Sequence, residues 1–396
     1  MAASKRRVLI AGGGIGGLAA SIALARRGIA STVLERSDFV EATGAGIQLG
    51  PNATRTLRGL GALEAIELSA FRPEAIWIFD GLSGQRLATV PLGQQAEQRY
   101  GAPYLTLHRA DLHAGLLAVC KTLDLVELRP GFAVASVDSA QAGVVVTATD
   151  GVEVRGSSLI GADGLWSALR RVVAPHSVLR FAGATASRGV TARDGLPSPA
   201  DAPIVGLWLG PGAHLVHYPV RGGTRVNIVA VTAGGNEQQG WDATTDAVSL
   251  HAGFSNWAKD SKSLLDRPRH WRSWSLYRLA GLRHWSAGRV ALLGDAAHPV
   301  LPYMAQGAAL AIEDAAALAS HLASAPHDPA SAFVQYAAAR QNRAGRVQRE
   351  AHLLGWLYHL RGTARLARNL VLGWRSEAGL LASLDWLYRD RHAKSA

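Results

Sequence analysis

Short apolar runs, each closed by a glycine- or aspartate-rich turn, set the rhythm of the first part of this 396-residue chain. Residues 7–11 (RVLIA) read as a buried strand, and after a glycine-rich turn residues 18–27 take a helical pattern. Residues 31–34 (STVL) form a second strand that ends at Glu35, so the opening predicts a βαβ unit. The same grammar of apolar strand, Gly/Asp turn and helix-prone stretch returns at residues 158–162 and 290–293. Residues 74–103 and 178–280 differ, with β-type runs at 204–209, 214–219 and 225–231 separated by Gly/Pro turns. From about Asp328 onward the pattern is helical, and no internal repeat or low-complexity linker interrupts it.

These elements predict an α/β fold with two interleaved domains and a helical tail. A Rossmann-like, doubly wound nucleotide domain takes residues 1–73, 104–177 and 281–327. A mostly antiparallel sheet domain for the substrate is inserted as residues 74–103 and 178–280, and residues 328–396 form a helical C-terminal region. The length agrees with more than one core.

Composition narrows the function classes. Hydrophobic residues at 48% and charged residues at 18% describe a globular chain rather than a disordered one. The single cysteine, Cys120, excludes a disulfide framework, a multi-cysteine metal site and a dithiol redox pair. One thiol also fits a reducing cytoplasm. The net charge of +11 raises the question of nucleic acid. Much of the excess falls late, with 11 Lys+Arg against 4 Asp+Glu in residues 340–396, and Arg340, Arg343, Arg346 and Arg349 are spaced as on one helix face. That run reads as a solvated helix face. No zinc spacing, RNP-like motif or aromatic–basic interleaving supports nucleic acid, whereas a positive field suits an anionic substrate and a pyridine nucleotide.

Lys5-Arg6-Arg7 followed by an apolar run imitates a secretory signal, but Gly12, Gly13, Gly14, Gly16 and Gly17 interrupt that run, and it reads as strand, turn and helix instead. No uninterrupted apolar stretch of about 18 residues occurs, so no membrane span is expected.

Three turns carry nucleotide-handling chemistry. Gly12, Gly14 and Gly17 match G-x-G-x-x-G, with Ile15 between the second and third glycines. The first glycine allows the tight turn, the second lets backbone approach a pyrophosphate, and the third permits close helix–strand packing. Glu35, followed by Arg36, stands 23 residues after Gly12 at the end of the next strand, where a carboxylate accepts ribose hydroxyls. The second turn is Asp163-Gly164, with Arg170 beyond it. The third is Gly294-Asp295, followed by His298-Pro299, by Gln306-Gly307-Ala308 and by Glu313-Asp314. A lone Asp163 or Asp295 reads equally as a helix cap. The three turns together point to a nucleotide with a ribityl or ribose hydroxyl at Asp295, and to a helix opened at Gly307 towards its ring.

In this order the turns resemble the single-component flavoprotein aromatic hydroxylases, whose fold is typified by 4-hydroxybenzoate hydroxylase. The resemblance covers most of the chain. It implies FAD on Gly12, Gly14, Ile15, Gly17, Glu35, Arg36, Gln48, Arg109, Asp163, Gly164, Gly294, Asp295, Gly307 and Ala308. It implies NADH or NADPH as a transient co-substrate, in keeping with the absence of a second G-x-G-x-x-G. It also implies ring hydroxylation with O2 through a flavin C4a-hydroperoxide, with the protein supplying orientation, dryness and charge.

On the substrate side, transfer of oxygen to a ring is eased by ionising a ring hydroxyl, whose pKa near ~10 calls for a His or Tyr relay. Alternation along the strand containing His214, His217 and Tyr218 puts His214 and Tyr218 on one face and His217 on the other. Two satisfied polar residues on a sheet are the plainer reading of this pair. The segment resembles 3-hydroxybenzoate 6-hydroxylases and 6-hydroxynicotinate 3-monooxygenases, whose matching His-x-x-x-Tyr contacts the substrate. Residues 44–52, 100–104 and the tail 356–365 (WLYHLRGTAR) extend the likeness, and Gln48 agrees with the 3-hydroxybenzoate enzymes. The substrate set implied is Gln48, His214, Tyr218, Pro299, Pro302 and Tyr303, with His214 and Tyr218 catalytic. Pro302 departs from those enzymes, which usually have Gln there, and matches the Leu-Pro frequent in salicylate hydroxylases. A salicylate 1-hydroxylase and a 6-hydroxynicotinate 3-monooxygenase therefore stay open. A halogenase is disfavoured, because Trp271-Arg272-Ser273-Trp274 has the wrong spacing for its Trp-x-Trp-x-Ile signature. A non-catalytic FAD- or NAD-binding regulator is the alternative of another class. The Trp-rich tail (Trp356, Trp374, Trp386) suits a homodimer interface or packing against its own domain.

Overall fold

Strand Val8–Ala11 lies inside a six-stranded sheet of order Ser286–Ala287, Val290–Leu292, Ser158–Gly161, Val8–Ala11, Ser31–Leu34, Val126–Arg129. The pairings are parallel except the edge hairpin of Ser286–Ala287. The inner strands are short, mostly apolar and buried along their whole length, as suits helix-covered parallel strands. Helix Ile15–Ala25 begins earlier than its periodicity suggests, because Gly14, with extended backbone, already serves as its N-cap. Helix Gly307–Ser324 packs beside it, and a Cβ on Gly16 would press into Leu293 and Ala311. The computed structural model describes residues 7–39, 45–140, 142–235, 237, 243–244, 247–280 and 282–389. Lys5, Arg6, Gly44, the expected boundary at Gly281 and residues 390–396 of the tail lie outside the described residues.

A second sheet of eight strands has the order Ala243–Thr244, Arg272–Leu279, Leu179–Ala192, Arg225–Ala233, Ala213–Val220, Ile204–Gly210, Ala75–Asp80, Arg86–Pro91. It is antiparallel apart from the pairing of Ile204–Gly210 with Ala75–Asp80, so the mostly antiparallel sheet expected from the sequence is present. Alternation divides its two faces. Val216, Tyr218 and Val220 join the core shared with the nucleotide sheet, whereas Ala213 and Leu215 join a second core with Trp208, Ile228 and Trp257. His217 goes with the second group and accepts a 3.1 Å hydrogen bond from Trp208 Nε1. Two smaller sheets were not anticipated. One is the meander Val134–Ala140, Gly143–Ala148, Glu153–Gly156, and the other pairs Gly46–Leu49 with Leu105–His108.

The tail is helical, as expected. Helix Pro329–Tyr358 starts with Asp328 accepting from Ser331 N and Pro329 in its first turn, a favourable start on both counts. Helices Gly362–Trp374, Glu377–Ala382 and Asp385–Tyr388 follow. Arg365 clamps the tail to the eight-stranded sheet through hydrogen bonds of 2.6 and 2.7 Å to the buried carboxylate of Asp80.

The expectation of a solvated arginine face fails. Arg340 is buried and ion-paired to Asp314 and Glu313 at 2.7 Å each, and Arg343 is held by Glu313 at 2.6 Å. The reason is the facing helix Gly307–Ser324, which presents Glu313-Asp314 to that side. Arg346 instead covers the Trp386 ring at 4.0 Å, and of the four only Arg349 is exposed.

Candidate active site

The glycine turn is shaped by contacts that tolerate no side chain. Gly12 has φ +106°, and a Cβ there would overlap the Ala162 carbonyl, while a Cβ on Gly17 would overlap the carbonyl of Gly12. A Cβ on Gly14 would meet nothing within 4 Å, so the turn is open on that side where the helix N-terminus presents its N–H groups. Ile15 is buried behind the turn, and Arg36 is exposed. Glu35 Oε2 accepts from Gly13 N at 2.6 Å, and Oε1 accepts from Ser37 N and Oγ at 3.0 and 2.9 Å. That leaves Oε2 one lone pair for a further donor. His113, which sequence reasoning missed, sits 2.7 Å from the Gly13 carbonyl and steadies the turn from helix Arg109–Lys121.

Arg170 ties the other two turns together. Its Nε donates to Ala296 O at 2.7 Å, and its Nη2 donates to Leu165 O and Asp295 O at 2.8 and 3.0 Å. Asp163 does cap a short helix, since Oδ2 accepts from Leu169 N at 3.1 Å, but its Oδ1 is buried with no partner. Gly164 adopts φ +77° and Gly294 φ +62°. Asp295 is half-buried. Desolvation raises its pKa, opposed by the charges of His298, Arg109 and Arg170. Gly307 opens its helix beside Asp295, with its would-be Cβ 3.9 Å from Oδ1, and Ala308 is half-buried next to it. Arg109 starts its own helix and donates its backbone N–H to Ala45 O at 2.8 Å.

Beneath these turns runs a buried polar network. His298 Nε2 lies 2.5 Å from Asp314 Oδ2, which also accepts from Gly294 N at 3.2 Å. Asn52 Nδ2 donates to Glu313 at 2.6 Å and to Gln306 at 3.0 Å. His298, which follows the third turn, thus serves to hold that turn. Its charge and that of Arg340 keep Asp314 down at about 2 against burial.

Glycine turn, Glu35, Asp163, Asp295 and Gly307 converge beyond the carboxyl ends of strands Val8–Ala11, Ser158–Gly161 and Val290–Leu292, where doubly wound sheets bind nucleotides. The residues present fit FAD. The open turn at Gly14 suits its pyrophosphate, the spare lone pair of Glu35 a ribose hydroxyl, and the unpartnered Asp163 Oδ1 and half-buried Asp295 further hydroxyl donors.

A second group forms on the eight-stranded sheet. His214 and Tyr218 are both buried on the face turned to the nucleotide sheet. Gln48 accepts from Tyr104 at 2.7 Å and lies near enough to Tyr218 to lower its phenol's pKa against burial. His214 Nδ1 lies 2.9 Å from Nε2 of His359, and the His214 ring stands 5.2 Å from Tyr303 and 5.4 Å from Tyr358. Burial, and then the neighbouring His359, push the His214 pKa well below the usual histidine range. His359 is lowered to about 4 by burial and by Arg361 and Arg368. Burial raises the Tyr218 phenol, against Gln48 and the charge of Arg188, and pushes Tyr303 up to about 12. Pro299 is buried, with its carbonyl accepting from Gln348 at 3.0 Å, whereas Pro302 is exposed on the turn Pro302–Met304. Tyr104, Tyr358 and His359 complete the group and were not singled out as site residues. The last stands 145 residues from His214, and only the likeness of the 356–365 segment marked it.

Comparison with known proteins identifies the family. An FAD-binding domain family model matches residues 5–351. 3-Hydroxybenzoate 6-hydroxylase 1 of Aquipseudomonas alcaligenes is 38% identical over 96% of this chain and 97% of its own. The 3-amino-4-hydroxybenzoate 2-monooxygenase of Streptomyces cremeus is also 38% identical, over 89% of this chain and 88% of its own. Klebsiella pneumoniae HpxO, solved with FAD and uric acid, superposes with a TM-score of 0.83 at 26% identity, over 96% and 95% of the two chains. The chain belongs to the FAD-binding aromatic hydroxylase family. It is an FAD-dependent aromatic-ring monooxygenase with NAD(P)H as co-substrate, which sets aside a non-catalytic regulator. Among the described residues no helix is long and apolar enough to cross a membrane.

Proposed function

We propose that this monooxygenase hydroxylates 3-hydroxybenzoate, with His214 and Tyr218 as its catalytic pair. The observation that carries the reading is the placement of His214 and Tyr218 on one buried face, with Gln48 held by Tyr104 and His359 behind His214. Burial keeps both histidines neutral at pH 7, so His214 has a free lone pair for a proton. With Nδ1 engaged by His359, His214 leaves Nε2 for the ring hydroxyl, and the captured proton has an exit through the half-buried His359. The Gln48–Tyr218 pair offers donors to the carboxylate, and the Tyr104, Tyr303 and Tyr358 rings exclude water. When bound, FAD supplies the reduced ring on which O2 is activated. Gly12, Gly14, Gly17, Glu35, Asp163 and Asp295 hold it, with Arg109, Gly164, Gly294, Gly307 and Ala308 around it. The division into a nucleotide part (1–73, 104–177, 281–327), a substrate sheet (74–103, 178–280) and a helical part (328–396) belongs to the same reading. So do a cytoplasmic setting and a homodimer.

Pro302 favours one second reading, a decarboxylating salicylate 1-hydroxylase, because Leu301-Pro302 matches the Leu-Pro frequent in those enzymes. Purified holoenzyme offered 3-hydroxybenzoate, salicylate, 4-hydroxybenzoate and 6-hydroxynicotinate decides between them when NADH consumption is matched to product by mass spectrometry. His214→Asn and Tyr218→Phe are each expected to slow hydroxylation by about 10²–10⁴ with FAD still bound. Coupled turnover at the parent rate in both variants rejects the pair.

A further inference from the structure

Helix Gly362–Trp374 follows closely on His359 and turns one arginine, Arg368, back into the protein, where it is only 8% exposed. Arg368 Nη1 donates to Leu357 O at 3.1 Å and to Tyr358 O at 2.9 Å, carbonyls at the end of helix Pro329–Tyr358. Such terminal carbonyls lack an intrahelical donor and carry the negative end of the helix dipole, so a cation is a favoured partner. The rest of the guanidinium is held too. Nε and Nη2 donate to Asn369 Oδ1 at 3.1 and 2.9 Å, and Nη2 lies 3.8 Å from Asp80 Oδ1.

Asp80 places this contact over the pocket. It ends strand Ala75–Asp80 and pairs across to Leu209, which pairs in turn to His214. Residues paired directly across a sheet share a face, so Asp80 and His214 stand on the same side, two strands or about 10 Å apart. Besides Arg365, the Asp80 carboxylate accepts from Ser83 N and Oγ at 3.0 and 2.8 Å, which fixes it from its own turn. The contacts therefore close a ring. They run from the sheet to Asp80, from Asp80 to the tail helix, from Arg368 to the end of the long helix, and from His359 back to His214 at 2.9 Å. Gly212 N, just before the His214 strand, donates to the His359 carbonyl at 3.2 Å.

The fork and the charge of Arg368 have separate uses. Two carbonyls and an amide oxygen in different directions suit the planar, forked donors of arginine better than a lysine ammonium. Asp80 is shared by Arg365 and Arg368, so one carboxylate faces two guanidiniums. The ionisable groups around His359 are His214 on the sheet, Tyr303 on the turn Pro302–Met304, Tyr358 beside it in sequence, and Arg361 and Arg368 from the tail. Burial first, and then Arg361 and Arg368, resist a proton on His359.

We propose that Arg368 is a positioning residue for hydroxylation, fixing the end of the long helix over Asp80 so that the His359 ring meets His214. His214 takes the substrate's proton on Nε2 and releases the one on Nδ1 to His359 Nε2, and His359 sheds its Nδ1 proton to water. The inference rests on the reading of His214 and Tyr218 as the catalytic pair. Its test compares Arg368→Gln, which removes the charge, with Arg368→Lys, which keeps it and loses the fork. Each holoenzyme is offered 3-hydroxybenzoate, or salicylate if the panel selects it. Arg349→Gln, at an exposed site on the long helix, controls for net charge. At pH 7 kcat for product should fall by about tenfold or more in both Arg368 variants, with FAD content and the KM for NADH unmoved. Losing a neighbouring cation makes His359 easier to protonate, so the acid limb of the kcat–pH profile should move up by about one pH unit in Arg368→Gln. In Arg368→Lys that limb should stay in place, and Arg349→Gln should match the parent. An acid limb that stays put in Arg368→Gln, or moves equally in Arg368→Lys or in the control, overturns the assignment. So does loss of flavin from both Arg368 variants, which marks a residue needed for the fold alone. Parent turnover in His214→Asn removes the catalytic pair and this inference with it, whereas a slow His214→Asn beside parent-like Arg368 variants ends this inference alone.

Discussion

His217 and His214 sit on opposite faces of one strand, and both are too deeply buried to hold a proton at neutral pH. The consequence for stability has a definite sign. His217 has its pKa lowered from 6.5 to about 4, so between those values the unfolded chain binds a proton that the native protein refuses. Stability therefore falls as pH drops from about 6.5 to about 4 and levels off below, and a shift of that size is worth about 3 kcal/mol at most for this one residue. Urea unfolding across pH 7 to 4 should show the decline, and His217→Gln should make it shallower. An identical slope in the variant removes His217 from the account. That His214 and Tyr218 share a face could be read from strand period alone. The His214–His359 contact could not, because nothing in local spacing joins a sheet residue to the end of a helix far along the chain.

At the scale of elements, the βαβ opening was legible because its strands are short β-type runs ended by turns and its glycine turn is steric in origin. Gly17 is the sharpest case, since any Cβ there meets the Gly12 carbonyl rather than a movable side chain. Gly17→Ala should push the turn open, cost about 1–3 kcal/mol and leave the purified protein depleted of flavin. Thermal melting and the flavin-to-protein absorbance ratio check this, and a fully yellow variant with the parent Tm refutes the tight turn. The arginine run of the long helix was misread for a complementary reason. Its spacing is that of a helix face, but whether the face meets water depends on Glu313-Asp314 of another helix, which lies outside any local window. The meander at 134–156 was missed likewise, its mixed polar pattern giving no periodic signal.

Across the whole molecule, helix Gly362–Trp374 leaves Leu366, Leu370, Val371 and Trp374 more than half exposed at spacings that share one face. Trp386, by contrast, is covered by Arg346 of the same chain, so it packs against its own chain. The proposed homodimer uses that exposed stripe. Sedimentation of the holoenzyme should give twice the chain mass, and Leu370→Lys with Val371→Lys should return it to one chain mass with flavin retained. A parent that sediments as one chain ends the proposal.

The clamp of Arg365 on Asp80 also orders events in time. The three turns proposed to hold the flavin and the helix start at Gly307 all leave the ribosome before Tyr358 and His359, which are held by Tyr303, Gly212 and Arg368 as well as by the tail that Arg365 clamps. A nascent chain is thus equipped to take up its cofactor while the substrate pocket still lacks a wall, and the finished cofactor site becomes the surface against which that wall is laid.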